Sequence, residues 1–242
     1  MGEVLTIWDL FLTPMYLFII YLIAFRIKNK QILKYPEYKY FVWGVTFKIF
    51  GGIAFALVYV FWYDGGDTHT YFLDSQALGK LFISDIKPAL SILAGNLTHE
   101  NMSAFTSETG FPHYYVWIDP NTFTVVRYSM FLNLLGAQSY IPTTIMVSCL
   151  SYFGIWKVFR LFKMLYPQHT QYLAIAILFM PSFVFWGSGI MKDTYIVGAT
   201  CWITYNFYQI AIAHKKISLN IFLFIINFII SIPIKYCYLV FN

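Results

Sequence analysis

Residues 10–25 read LFLTPMYLFIIYLIAF, a run without a single charge, closed by Arg26, Lys28, Lys30, Lys34 and Lys39. Crossing the hydrocarbon layer takes about 20 predominantly apolar residues. A run of that kind with a basic fence at one end reads as a membrane-spanning helix whose fenced end is cytoplasmic. The same pattern recurs along the chain. A second run covers about Tyr40 to Tyr63, with Lys48 in its first half, where its ammonium is expected to snorkel to the cytoplasmic surface. Further runs follow at about Tyr140–Trp156, Tyr172–Trp186, Thr194–Ala213 and Ile217–Ile234.

Composition agrees. Of the 242 residues, 59% are hydrophobic and 11% charged, with a mean hydropathy of +0.63. A soluble domain carries nearer a quarter charged residues. So few charges cannot coat a water-facing surface, and lipid must be the solvent for much of the chain. The expected fold class is therefore all-α: one domain over residues 1–242, a polytopic bundle of about six spans. The three cysteines, Cys149, Cys201 and Cys237, lie within apolar runs and have no metal-ligand spacing. Met1-Gly2-Glu3 lacks the positive segment of a cleavable leader, so the first run is read as a permanent span.

Charge sets the orientation. Segments 26–39, 157–163 and 215–216 hold ten of the 16 Lys and Arg but one of the 11 acids, Glu37. The other acids lie on the opposite side. By the positive-inside rule, the N-terminus and the 64–127 loop are extracytoplasmic. The net charge of +5 is thus a topology signal and does not point to nucleic acid. In the outer loop, residues 72–93 space Leu73, Ala77, Leu81 and Leu78, Phe82, Ile86 like an amphipathic helix lying on the membrane surface. Residues 96–110 are rich in Ser, Thr, Asn and Glu and read as a loop. FPHYYVW, from Phe111 to Trp117, reads as a return to the interface.

Two stretches carry chemistry. Where the second run ends, Tyr63-Asp64-Gly65-Gly66-Asp67-Thr68-His69-Thr70-Tyr71 sets two carboxylates, a histidine and a tyrosine around a glycine pair. A carboxylate at a membrane boundary can take a proton from a hydroxyl or hold a sugar hydroxyl. The same residues also suit a polar turn. A divalent cation on Asp64, Asp67 and His69 has only weak support, because no second ligand cluster accompanies them. The second stretch, PSFVFWGSGIMKD from Pro181 to Asp193, joins the fourth run to the fifth. Lys192 beside a small-residue turn and a helix start would suit a phosphate. Asp193 could equally be the helix N-cap. Arg127, with its planar donor fork, is either a phosphate clamp or an interface anchor.

GGDTHTYF, Gly65 to Phe72, and PSFVFWGSGIMKD resemble motifs of the GT-C class of polytopic glycosyltransferases. In that class an acidic residue opens the first large extracytoplasmic loop, and that loop carries helices along the membrane. The resemblance covers roughly residues 41–200. It departs from the class in two ways: the acidic loop follows the second span, and the class usually has more than six. It implies transfer of a sugar from a polyprenyl-phosphate donor on the outer face. Asp67 would be the general base, oriented by Asp64, with Lys192 and Arg127 on the donor phosphate. His69, Tyr71 and Asp193 would line the substrate site. Membrane lipid and the lipid-linked donor are the implied partners. A polysaccharide polymerase or ligase using lipid-linked oligosaccharide is the nearest alternative. A transporter or a non-catalytic assembly protein differs in kind.

Overall fold

A computed structural model describes residues 4–235; Glu3 and Cys237, both used in the sequence argument, lie outside that range. Every regular element among the described residues is helical. Two long helices open the chain: α1 (Ile7–Gln31) and, after a short 3-10 turn at Pro36–Tyr40, α2 (Phe41–Phe61). Then come α3 (Asp67–Ser84), α4 (Ile86–Leu93), α5 (His99–Ser103), α6 (Tyr114–Trp117) and α7 (Pro120–Leu135). The second half holds α8 (Tyr140–Leu165), α9 (Thr170–Leu178), α10 (Pro181–Trp186), α11 (Lys192–Ala211) and α12 (Ile217–Lys235).

Four of these are long and apolar enough to cross a membrane: α1, the stretch Pro36–Phe61 that contains α2, α8, and α12 over Ile217–Ile234. They correspond to the first, second, third and sixth apolar runs. The fourth run is broken. A proline disfavours helical ψ in the residue before it, and Met180 is extended at φ −63° and ψ 116°. The chain therefore forms the nine-residue α9 and the six-residue α10. At 1.5 Å per residue α9 is about half the length a hydrocarbon layer of about 30 Å requires. The fifth run is one helix, α11, but Thr194, Thr200, Thr204, Asn206 and Gln209 dilute its apolar character.

The centre of the bundle is α8, which packs against α1, α2, α7, α9 and α11. Close approach is set by glycines, as is common where helices pack in lipid. A Cβ on Gly51 would run into the Val184 carbonyl, and one on Gly52 into the Ser148 hydroxyl. By contrast α1 buries little: Ile7, Trp8, Leu10, Phe11, Phe18 and Leu22 are all exposed, as suits a lipid-facing helix. One carboxylate ties it down. Asp9 is buried; it accepts hydrogen bonds from the Thr6 N–H (2.8 Å) and from the Ile141 N–H at the start of α8 (2.8 Å). It thus satisfies backbone donors at two helix N-termini, where a negative charge is favoured.

The segment between α2 and α8 is more ordered than its sequence implies. The expected surface helix over 72–93 is two helices, α3 and α4, divided at Asp85, whose side chain accepts from the Lys87 N–H. Most of α3 is buried by protein, chiefly by α7. Asn133 of α7 donates to Ser75 (2.9 Å) and to the Phe72 carbonyl (3.3 Å) of α3. The polar 96–110 stretch contains α5, and Asn101 there donates to Ser91 and to the Asn96 carbonyl.

Candidate functional site

At the end of α2 the chain must turn sharply into α3. Asp64, Gly65 and Gly66 all have positive φ, at 47°, 140° and 108°. Glycine takes this region without penalty, and Asp is among the residues that tolerate it. Gly66 then caps α3, so Asp67 is the first helical residue and its carboxylate sits at the positive end of the helix.

This turn borders a cavity of about 510 Å³. Asp64, His69 and Thr70 line it together with His113, which arrives from the chain just before α6. Val4, Leu5, Val60, Phe61 and Leu73 supply an apolar wall. His69 stacks edge-on to Tyr140, and its Nε2 is buried and meets no hydrogen-bond partner among the described residues. Burial lowers its pKa and the Asp64 charge opposes that shift. Thr70 accepts a hydrogen bond from the Tyr115 hydroxyl at 2.8 Å.

His113 is the residue the sequence did not single out. Asp74, one helical turn beyond Thr70 on α3, is wholly buried behind it. One carboxylate oxygen, Oδ1, accepts from the His113 backbone N–H at 3.0 Å and faces the ring Nδ1 at 2.6 Å. Burial pushes the Asp74 carboxyl up to about 6, and the bonds from His113 act against that rise. The His113 side chain remains 43% exposed. No sequence signal pairs these two: they are 39 residues apart, and Asp74 looks like one more polar position on an amphipathic helix.

The remaining sequence-derived residues fall nearby or elsewhere as follows. Asp67 is exposed and is not among the residues lining the cavity. Tyr71 is buried; burial raises its hydroxyl pKa, with added contributions from Asp67 and from Asp119, which precedes α7. Asp119 in turn accepts from Thr122 and from the Asn121 N–H. Burial would raise its pKa, but those bonds and the charge of Lys192 hold it below the usual range. Lys192 opens α11 and donates to the Thr122 hydroxyl at 2.6 Å. Asp193 is exposed in the first turn of α11, whose N-cap is Met191, so the N-cap reading of Asp193 does not hold. Arg127 on α7 reaches Thr124 with one nitrogen (3.5 Å), while Nε and Nη2 are buried and meet no hydrogen-bond partner among the described residues.

Two sequence expectations change. Lys48 does not snorkel: it is buried, donates to the Gly187 carbonyl and lies 5.3 Å over the Phe183 ring. The small residues after Pro181 are taken up by packing. Ser188 donates to the Val184 carbonyl, Ser148 of α8 donates to the Ser188 carbonyl, and Gly189 lies against the Phe55 ring. Among the described residues no group of three or more His, Cys, Asp or Glu is arranged to hold a metal ion. Comparison of the chain with protein-family models, with curated proteins and with solved structures finds no match.

Proposed function

We propose that this chain is a membrane glycosyltransferase that takes a sugar from a polyprenyl-phosphate donor on the extracytoplasmic face. The observation that carries the proposal is Arg127. A guanidinium with two buried, unpartnered nitrogens is costly unless an anion meets it. Its helix, α7, also receives Lys192 from α11 through Thr122. Two cations on neighbouring elements suit the phosphate of a lipid-linked donor, which leaves as the glycosidic bond breaks. The carboxylate-bearing turn at Asp64–Asp67 and its cavity suit the acceptor hydroxyl. Exposed apolar surface on α1 and α12 suits a lipid environment throughout. In this reading the broken α9–α10 pair and α11 bring the number of crossings to six. The ends near Asp9, Asp64 and Lys192 face outward.

Purified protein should carry lipid-linked sugar detectable by mass spectrometry, and Arg127→Ala or Lys192→Ala should lose it. Wild-type protein free of polyprenyl-phosphate sugars, and unable to transfer from any of a panel of them, would sink the proposal. Sidedness is tested separately. A cysteine at the exposed Ser107 should react with an impermeant thiol reagent in intact cells; reaction only after lysis would invert the topology.

A further inference from the structure

We infer that His113, held by Asp74, is the catalytic base that accepts the acceptor's proton in the cavity beside the α2–α3 turn. The inference rests on the glycosyl-transfer reading and names the proton acceptor within it. An ionised carboxylate can only accept hydrogen bonds, so Nδ1, 2.6 Å from Asp74 Oδ1, carries the hydrogen of the neutral ring. The other nitrogen, Nε2, keeps its lone pair. Asp74 also grips the His113 backbone N–H, so one carboxylate fixes both the residue and its ring. The carboxylate is buried while the ring lines the 510 Å³ cavity: the orienting group is dry and the working group is accessible.

The rival bases fit less well. Asp67 is exposed at the first position of α3 and does not line the cavity. His69 shares the cavity but has no carboxylate to orient it, and its unpartnered Nε2 suits holding an acceptor hydroxyl. Asp64, also on the cavity wall, suits the same task. In the step, the acceptor oxygen forms a bond to the anomeric carbon. The bond from that carbon to the phosphate oxygen breaks, and polyprenyl phosphate leaves with the electron pair. The acceptor's proton passes to Nε2, and the imidazolium is stabilised by the Asp74 carboxylate until water removes the proton. Among the described residues the titratable groups around His113 are Asp74 and His69 on α3, Asp64 in the turn and Tyr115 on α6, with Val4 and Leu5 on the N-terminal side.

The full chain in detergent would be assayed with a panel of polyprenyl-phosphate [14C]hexoses and membrane-lipid acceptors. His113→Asn places an amide N–H where Nδ1 stood but has no Nε2; His113→Gln is a second variant. Either variant that is monodisperse should transfer about 10²–10⁴-fold more slowly than wild type, with co-purifying donor lipid retained. Wild-type transfer should also decline below about pH 6, where Asp74 takes up a proton, and the residual activity of the variants should lack that limb. Transfer within threefold of wild type in a folded variant overturns the assignment, as does loss of transfer on Asp67→Asn with His113→Asn still active. Absence of transfer by the wild type overturns the parent proposal and this one with it.

Discussion

Two buried carboxylates, Glu37 before α2 and Asp74 on the helix that follows it, differ in the partners they meet. Glu37 sits in the 3-10 turn before α2 with its side chain 3% exposed. Arg160 Nε and Lys163 Nζ, both from the last turns of α8, lie 3.3 and 3.2 Å from its two oxygens. The Arg160 guanidinium also lies over the Tyr35 and Tyr38 rings. Two cations compensate one anion there. Asp74 meets one side chain among the described residues, the His113 ring. Its partner can gain and lose a proton, and that partner opens on a cavity. A buried charge with permanent counterions holds helices together. A buried charge with one titratable neighbour is how proton chemistry is arranged.

The difference can be broken by mutation. The largest expected effect is on rate: Asp74→Asn should slow transfer by about 10²–10⁴-fold through kcat, because an amide neither fixes the His113 tautomer nor stabilises its imidazolium. Protein stability at pH 8 should not fall, since the amide removes a buried charge. Equal loss of stability and activity would reduce Asp74 to a packing residue.

Glu37→Ala should do the reverse. Breaking a buried pair destabilises by about 3–5 kcal/mol, and the low end is expected because Arg160 and Lys163 keep some solvent. Thermal melting in detergent would register it, while transfer per folded molecule stays unchanged.

A pH series sharpens the contrast. Burial lifts the Asp74 carboxyl from the ordinary aspartate value of 3.8 to about 6. Its contribution to stability is therefore fully present below pH 3.8 and is lost as pH rises through about 6. At about 1.4 kcal/mol per unit the span is about 3 kcal/mol. Wild type should lose most of that relative to Asp74→Asn between pH 4 and pH 8; a flat difference would contradict the burial.

The smallest effect is expected from helix packing. Gly51→Ala forces a methyl into the Val184 carbonyl and should destabilise by about 1–3 kcal/mol. Melting should shift while the pH dependence of transfer does not.

Much of this is visible in the chain itself, and the reason is solvent. A helix that lipid surrounds must be apolar at nearly every residue, and α1 and α12, long, apolar and little buried by protein, stand out in the sequence as Leu10–Phe25 and Ile217–Ile234. Where protein surrounds a helix, the helix may carry polar residues. That is why α3, with Thr68, Thr70, Asp74 and Ser75 all buried, reads as a surface helix. The break at Met180–Pro181 was present in the sequence as a proline, but an unbroken run of apolar residues around it hid two short helices. Lys48 was misplaced for a similar reason: the Gly187 carbonyl that satisfies it is 139 residues away.

Local residue chemistry, then, already determined the helical class, four of the six expected spans as long apolar helices, the charge asymmetry of the apolar runs and the sharp turn at Asp64–Gly66. Each follows from solvation or backbone freedom, which act on short stretches. Only the tertiary structure decided that α3 is covered by α7, that Asp9 caps the start of α8, and that His113 rests on Asp74. These are contacts between distant segments, and a buried carboxylate chooses its partner by which donor the packed helices bring within about 3 Å, not by its neighbours in the chain.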